Sequence, residues 1–593
     1  GQVPCGLICH PDDKHVVYPL GFTVVIEELD SKKQTFLHGH TDNVTCLDVS
    51  RNGDYIASGQ VTFMGFKADI ILWDCQQKKF LAHLSLHKGK VEAVAFSANS
   101  LYLISLGGQD DDSVIVWHVE KREFLCRSPA SARRAGNASI LLASSCRDEL
   151  FVTAGNETLR VWELDLTTRK LNPTECPTGK LKRVITCAKM TDDDNYFFGG
   201  TSSGDIIKVN VNSKTMVEHG PKKKFSMGVT ALLLQKTGDL IAGTGEGIVA
   251  LCKGSDYRVT KKIEVQGAVT SLTSRGQGSE FLAGTSECRI YQIHYPEFQE
   301  ELLAACHKEA VNDIVFPVGT SDLFVTCSKN DLRVWHTPAR KELIQITVPN
   351  LTCHAIDITR DGMRIISAWD DGQIRAFVPK SGQLVFVLQH AHSGGVTAIA
   401  ATSDCKRILS GGGEGLVKVW EVHQKTQKLR AVLKEHTSTV SCIKMKKDER
   451  ECVTSSHDGS CIIWDMVHFV RRQLIVADTL FNCVCYHPGE YLILTGGTDR
   501  KIGYWEVFDG TGVRELKGSV SSSINGMDIT ADGAYFVTGG DDHLVKLWDY
   551  NGGKVTHTGV GHSGKITRLK ICPGTKSIVS VSADGAILLW KYP

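Results

Sequence analysis

Three residues near the end of the chain have the types that hydrolytic chemistry uses. His562, Ser580 and Asp584 supply an imidazole, a hydroxyl and a carboxylate, the parts of a nucleophile, its base and the group that orients the base. Trp590 follows them. Two glycine-rich runs, Gly243-Thr244-Gly245-Glu246-Gly247 and Gly411-Gly412-Gly413-Glu414-Gly415, have the look of phosphate loops. Neither leads into Lys-Ser or Lys-Thr, and neither opens a helix, which a phosphate cradle requires. Cys483-Val484-Cys485-Tyr486-His487 places three soft ligands on one side of a strand, but tetrahedral zinc needs a fourth and a closed geometry. Asp110-Asp111-Asp112 and Asp192-Asp193-Asp194 lack the spaced oxygen ligands and closing Glu of a calcium loop, and read as solvated turns.

The elements that would position these groups settle the first case. From Gly561 to Trp590 the chain alternates apolar or β-branched runs with turns and closes on Asp584-Gly585 and a last run ending in Trp. The same unit recurs backwards along the chain. Trp548, Trp505, Trp464, Trp420, Trp335, Trp162, Trp117 and Trp73 stand in the place of Trp590, and Phe377 stands in for Trp. Tyr291, Val249, Ile207 and Ile26 end the copies that lack both. The fourteen end positions are 41 to 47 residues apart. A period of this length built from short strands indicates a β-propeller. A Ser-His-Asp set repeated in many copies is then structural. The expected bonds run from the Trp indole to the Ser hydroxyl, from Ser to His and from His to Asp, so His562, Ser580, Asp584 and Trp590 form a structural tetrad. No catalytic residue, cofactor or metal is expected.

The fold class expected is all-β, tandem β-propellers in two rings of seven four-stranded blades. Fourteen blades exceed the usual number in one ring, and a single ring would leave a wide empty channel. The domains expected are residues 1–295, with an incomplete first blade, and 296–593. The outer strand of the first blade is expected before Gly1, and the last blade stops after its third strand. A segment preceding Gly1 is the expected donor of the strand that closes one ring.

The charge is balanced, with 67 basic and 66 acidic residues, which excludes a broad nucleic-acid surface. No stretch has the length of a membrane helix, and no partner membrane is expected. The 20 cysteines show no framework spacing and read as free thiols of a reducing compartment, so the Asn137 and Asn156 glycosylation patterns are expected to go unused. A ligand site in a central channel would need titratable groups converging there, and the sequence points to none.

One insertion departs from the repeat. Residues 60–69 hold Phe63, Met64, Phe66 and Lys67 where other copies have a short turn. Exposed aromatics and Met favour interfaces, so these four are candidate partner-binding residues; the bland alternative is a loop folded back over the blade edge. The turn at 107–112 and the polar linker Arg127–Asn137 are the next candidate contacts.

The Gly-His…Trp frames resemble the WD-repeat superfamily. The insertion Tyr55–Asp74, together with Tyr504–Gly510, Ser523–Thr530 and Phe481–Pro488, resembles its cilia- and flagella-associated branch over essentially the whole chain. That resemblance implies a non-enzymatic structural protein of the ciliary or flagellar axoneme, a microtubule inner protein of the doublet microtubule. It implies binding to the α/β-tubulin lattice and to other inner and inner-junction proteins, in the B-tubule near the inner junction. Rigid rings would bridge these partners through many modest contacts. The alternative is a general cytoplasmic WD-repeat scaffold for a signalling or trafficking complex.

Overall fold

A computed structural model of the chain describes residues 3–131, 136–177, 183–423 and 426–593. Apart from one short 3-10 turn at Gly276–Gly278, its elements are β-strands. The chain divides into two compact units, Gly1–Ala305 and Cys306–Pro593. The boundary lies beyond Pro296 because the strand Gln299–Ala305 pairs with Arg289–His294 and completes the last sheet of the first unit.

In the first unit each sheet has four antiparallel strands joined in chain order by hairpins. The first sheet is complete: Ile8–Cys9, His15–Leu20, Thr23–Glu28 and Gln34–Leu37. This corrects the expectation of an incomplete first blade. The outermost strand of each sheet follows the other three in the chain, so Gln34–Leu37 supplies it. In the second unit the strand Lys341–Ile358 is long enough to end one sheet and begin the next, which merges the two. The last sheet has three strands, ending with Ile587–Lys591, and no described strand pairs with its outer edge.

Burial follows strand position. The second strand of a sheet is packed on both faces by neighbouring sheets and is apolar or small after its first residue, as in Arg407–Gly412 (RILSGG) and Leu492–Gly497 (LILTGG). Outer strands such as Val470–Val476 are largely exposed. Core clusters lie between adjacent sheets; one joins Ala57, Ile70 and Leu72 to Phe96, Leu103 and Trp117. The Gly that recurs near the end of the second strand is needed for this approach. A Cβ on Gly411 would lie 2.6 Å from Val440 of the next sheet, and one on Gly243 would lie 2.4 Å from Val269.

Neighbouring sheets are also tied by polar links. A Thr, Ser or Asn at the start of one first strand donates to a carbonyl at the start of the next. Thr230 donates to Val269 at 2.6 Å, Thr397 to Val440 at 2.7 Å, Asn482 to Ile524 at 3.0 Å and Asn525 to Ile566 at 3.0 Å. Aspartates near the far end of these strands accept from the next strand's backbone: Asp48 from Phe96 at 2.8 Å, Asp357 from Ala401 at 2.8 Å and Asp528 from Ile571 at 2.9 Å.

Links of the same kind join the last sheet of each unit to its first. In the first unit Leu7 N donates to Ser271 Oγ at 3.3 Å and Cys9 N to Thr273 Oγ1 at 3.0 Å, while Leu7, Val16 and Leu29 pack on Leu282. In the second, Val311 N donates to Ser582 O at 3.0 Å and Thr567 Oγ1 donates to Val311 O.

Candidate functional site

The polar sets come first, because they carry the residue types of catalysis. His307 Nδ1 donates to Asp331 at 2.8 Å, Thr326 Oγ1 donates to His307 Nε2 at 2.7 Å, and Trp335 Nε1 donates to Thr326 at 2.7 Å. His392, Glu414, Ser410 and Trp420 repeat this chain, as do His436, Asp458, Thr454 and Trp464, and His87, Asp111, Ser105 and Trp117. The hydroxyl in each is buried on a second strand with both its neighbours committed. Burial pushes His307, His392 and His436 below the ordinary histidine range, and pushes His40 and His562 down to about 4. Lowered in this way, His307, His392 and His436 are held as neutral imidazoles, each placed to donate through Nδ1 to its carboxylate. Such sets act as internal braces.

Several members differ from expectation. In the tetrad first read from sequence, Trp590 Nε1 reaches Ser580 Oγ at 2.7 Å and Ser580 reaches His562 at 2.6 Å, but the last link does not form. The Asp584 carboxylate instead accepts from the Ser563 and Ser582 hydroxyls and from Gly564 N at 2.8 Å, and His562 Nδ1 has no partner among the described residues. Two nearby hydroxyls outcompete the imidazole. Asp111 and Asp194 do not sit in solvated turns: Asp111 is the buried acid of the His87 set, and Asp194 is a buried clamp that accepts from Ser144 Oγ and Cys146 N of the preceding sheet.

Three members were missed in the sequence. Gln60 takes the acid's place beside His40 at 2.8 Å. Asp331 reaches His307 although its turn is short. Trp369, on a second strand, donates to Ser367 at 2.8 Å and fills the place for which Phe377 lacks an indole, with Arg375 stacked 5.4 Å from its ring. The in-phase offset of Asp111 from Trp117 was a usable signal for that residue; nothing in the spacing pointed to Trp369.

The other chemical candidates dissolve into packing. Cys483 and Cys485 are buried in a core cluster, and the His487 ring packs on Tyr550 at 4.6 Å. All twenty cysteines are free thiols. Among the described residues, the group with metal-compatible spacing is His10, Asp12 and His15, on the first hairpin. No helix among them is long and apolar enough to cross a membrane.

The insertion forms a projecting arm. Its ends are strand: Tyr55–Gln60 leads in, Lys67–Asp74 leads out, and the latter pairs with the ten-residue strand Lys79–Lys88. Backbone bonds from Thr62 N to Gly89 O (2.7 Å), Gly89 N to Phe66 O (2.9 Å) and Phe66 N to Phe63 O (3.0 Å) hold the tip. Gly65 turns it with φ +85°, where a side chain would be strained. Phe63 is 80 % exposed, Met64 81 % and Phe66 66 %, and Lys67 is exposed beside them. The tip faces solvent rather than folding back over its sheet.

The arm is the turn between the second and third strands of its sheet, and the equivalent turns of the other sheets of the first unit share its face; backbone bonds within each sheet mark that end. Gly108 N donates to Lys90 O, Ala130 N to Asp112 O, Asn156 N to Asn137 O, Ser202 N to Val184 O and Gly245 N to Gly228 O. The turn at 107–112 therefore lies on the same face as the arm, and so do the described ends of the linker 127–137; its residues 132–135 lie outside the described residues. The connection from the outer strand Thr215–Gly220 to Val229 lies at the same end of its sheet and carries exposed Lys222, Lys223 and Met227, the last 74 % exposed, which were not singled out in the sequence. The run Lys222-Lys223-Lys224 after Pro221 was the available signal.

Comparison with known proteins adds two kinds of match. The family described as "Echinoderm microtubule-associated protein first beta-propeller" matches residues 33–293. The family "WD domain, G-beta repeat" matches 382–421, 427–465, 477–506, 510–549 and 553–591. Over all of its length the chain is 61 % identical to human "Cilia- and flagella-associated protein 52", covering 96 % of that protein. It is 42 % identical to the Chlamydomonas reinhardtii protein of the same name, again over all of this chain and 96 % of the relative. Mouse "WD repeat-containing protein 90" is 24 % identical over 74 % of the chain, which matches 24 % of that longer protein.

Proposed function

The chain belongs to the cilia- and flagella-associated protein 52 family, and from that premise we propose that it is a structural, non-enzymatic component of the axonemal doublet microtubule. It is a WD-repeat protein of the cilium or flagellum. In the finer reading it is a microtubule inner protein that sits in the B-tubule near the inner junction. There it binds the α/β-tubulin lattice and neighbouring inner proteins, and stiffens the doublet for beating. The two units act as two closed seven-bladed rings, rigid carriers for loops whose positions are set by the braces and inter-sheet links described above.

The observation that carries this reading is the match over all of this chain to relatives as distant as the Chlamydomonas protein. The likeness of residues 33–293 to a propeller of a microtubule-associated protein supports the lattice as partner. The balanced charge is compatible with the doublet interior, away from acidic tails that project outward. The arm Phe63, Met64, Phe66 and Lys67 is the first contact proposed. Its apolar tip on a braced hairpin costs little ordering entropy on binding.

The test is cryo-electron imaging of isolated doublets with and without the protein. Density for two joined rings inside the doublet, lost in the protein's absence, is the expected outcome. Identical doublets in both preparations would remove the lattice role and leave the cytoplasmic scaffold.

A further inference from the structure

The first strands of all seven sheets of the second unit surround a cavity of about 470 Å³. Small side chains open it: Ala355, Ala398 and Ala400 stand where other strands carry larger groups. At one end Arg568 lies across it, donating to Asn525 O of its neighbouring sheet and at 3.2 Å to Ser441 O of a non-adjacent one. At the other end the cavity reaches hairpin turns carrying Phe316, Val318 and Pro573, and Val318 is 64 % exposed. That end is an apolar mouth.

The charges inside are not equally committed. Lys570 is paired with Asp528 at 3.1 Å. The Asp357 carboxylate accepts from Ala401 N and Ile358 N, and Asp313 from Ile356 N and Ile314 N. Both aspartates are thus held as inter-sheet clamps. Lys444 is half-buried on the cavity wall and feels Asp357 electrostatically. Among the described residues its ammonium forms neither an ion pair nor a hydrogen bond, its backbone being paired within the sheet. An ammonium with three donors, half withdrawn from water and unpaired, has unused capacity for an anion.

We propose that this cavity receives an acidic side chain of a partner polypeptide, whose carboxylate pairs with Lys444 while a neighbouring apolar residue rests on the mouth. Arg568 cannot offer a second site, because its guanidinium is spent on carbonyls. The apolar mouth favours a peptide segment over a free inorganic anion, which would gain nothing from Phe316 and Val318.

The test uses the full chain and capped dipeptides observed by saturation-transfer NMR. N-acetyl-Phe-Glu-amide is expected to bind, and N-acetyl-Phe-Gln-amide to bind about tenfold more weakly or not at all, since only the carboxylate makes a charge-assisted bond. Lys444→Met should remove the preference and Lys444→Arg should keep it. Ala400→Leu, which fills the cavity and leaves Lys444 in place, should abolish binding of both. Equal binding of the two peptides, binding of neither, or an unchanged preference in Lys444→Met refutes the proposal. Displacement of the Glu peptide by an equal concentration of inorganic phosphate would also refute it, by showing a general anion site.

Discussion

Removing the Asp331 carboxylate should weaken the second unit far more than the loss of one hydrogen bond. Asp331 is 5 % exposed and accepts from His307 Nδ1, Arg333 Nε and Gln345 Nε2, each at 2.8 Å. Arg333 is only 1 % exposed, so its guanidinium depends on Asp331, on Glu342 at 3.0 Å and on Cys306 O at 3.0 Å. Burial opposes ionisation of Asp331, but the His307 bond and the Arg333 charge outweigh it and hold the carboxyl far below the usual range. Breaking a buried pair by deleting one partner costs about 3–5 kcal/mol. Asp331→Ala should fall near the lower figure, because Glu342 still faces Arg333.

The assay is hydrogen exchange on the full chain, read at the strands Leu323–Cys327 and Lys329–His336. A loss of about 3 kcal/mol raises their exchange roughly a hundredfold, while strands of the first unit keep their rates. Replacing Arg333 by Met in the same chain should recover a large part of the loss, since no buried cation is then left short of a partner. A loss under about 1 kcal/mol, or strict additivity of the two substitutions, would refute the view that this cluster is a coupled brace.

Replacing Phe63, Met64 and Phe66 together by Ser should lower doublet binding of the purified chain in a co-sedimentation assay. It should shift the melting temperature by under about 2 °C, because exposed side chains contribute within about 0.5 kcal/mol; unchanged binding would discard the arm as a contact. Trp369→Phe should cost about 1–2 kcal/mol, since Ser367 loses its buried donor, measured by denaturant unfolding. Acid should destabilise the fold through His40 and His562. Both stay neutral when folded down to about pH 4 but protonate near 6.5 when unfolded, so the unfolded state binds more protons between those values. Stability is full above about pH 6.5 and falls by about 1.4 kcal/mol per pH unit for each histidine as pH drops towards 4. Substituting His562 by Gln should flatten that slope in urea titrations at stepped pH.

The repeat was legible because packing on both faces forces the same pattern on every second strand, and the indole needs one hydroxyl at a fixed offset. The exposed arm was legible because aromatic residues are out of place in a turn. The acid of each brace was legible only where the turn kept its length: Asp331 works from a shortened turn, and Gln60 does the same job without charge. Trp369 was invisible because an indole can reach Ser367 from its own strand as well as from the next. The unpaired His562 Nδ1 and the unpaired Lys444 could not be read at all. Each depends on which of several nearby groups wins a bond, and that is decided by distances between sheets. The first sheet was misjudged through strand order, since hairpins run outward and supply the outer strand last.

The links that join last sheet to first span almost an entire unit: Leu7 to Ser271 is a separation of 264 residues and Thr567 to Val311 of 256. Contacts of that range form late, because loop closure must precede them. During synthesis at about 5–20 residues per second, the first sheet waits roughly ten to fifty seconds for its partner to leave the ribosome. Throughout that interval Val16 and Leu29 lack the Leu282 side chain that covers them in the finished protein. The geometry that makes the completed unit stiff therefore makes the nascent chain sticky, and a chaperone's demand on this protein should peak before residue 282 emerges.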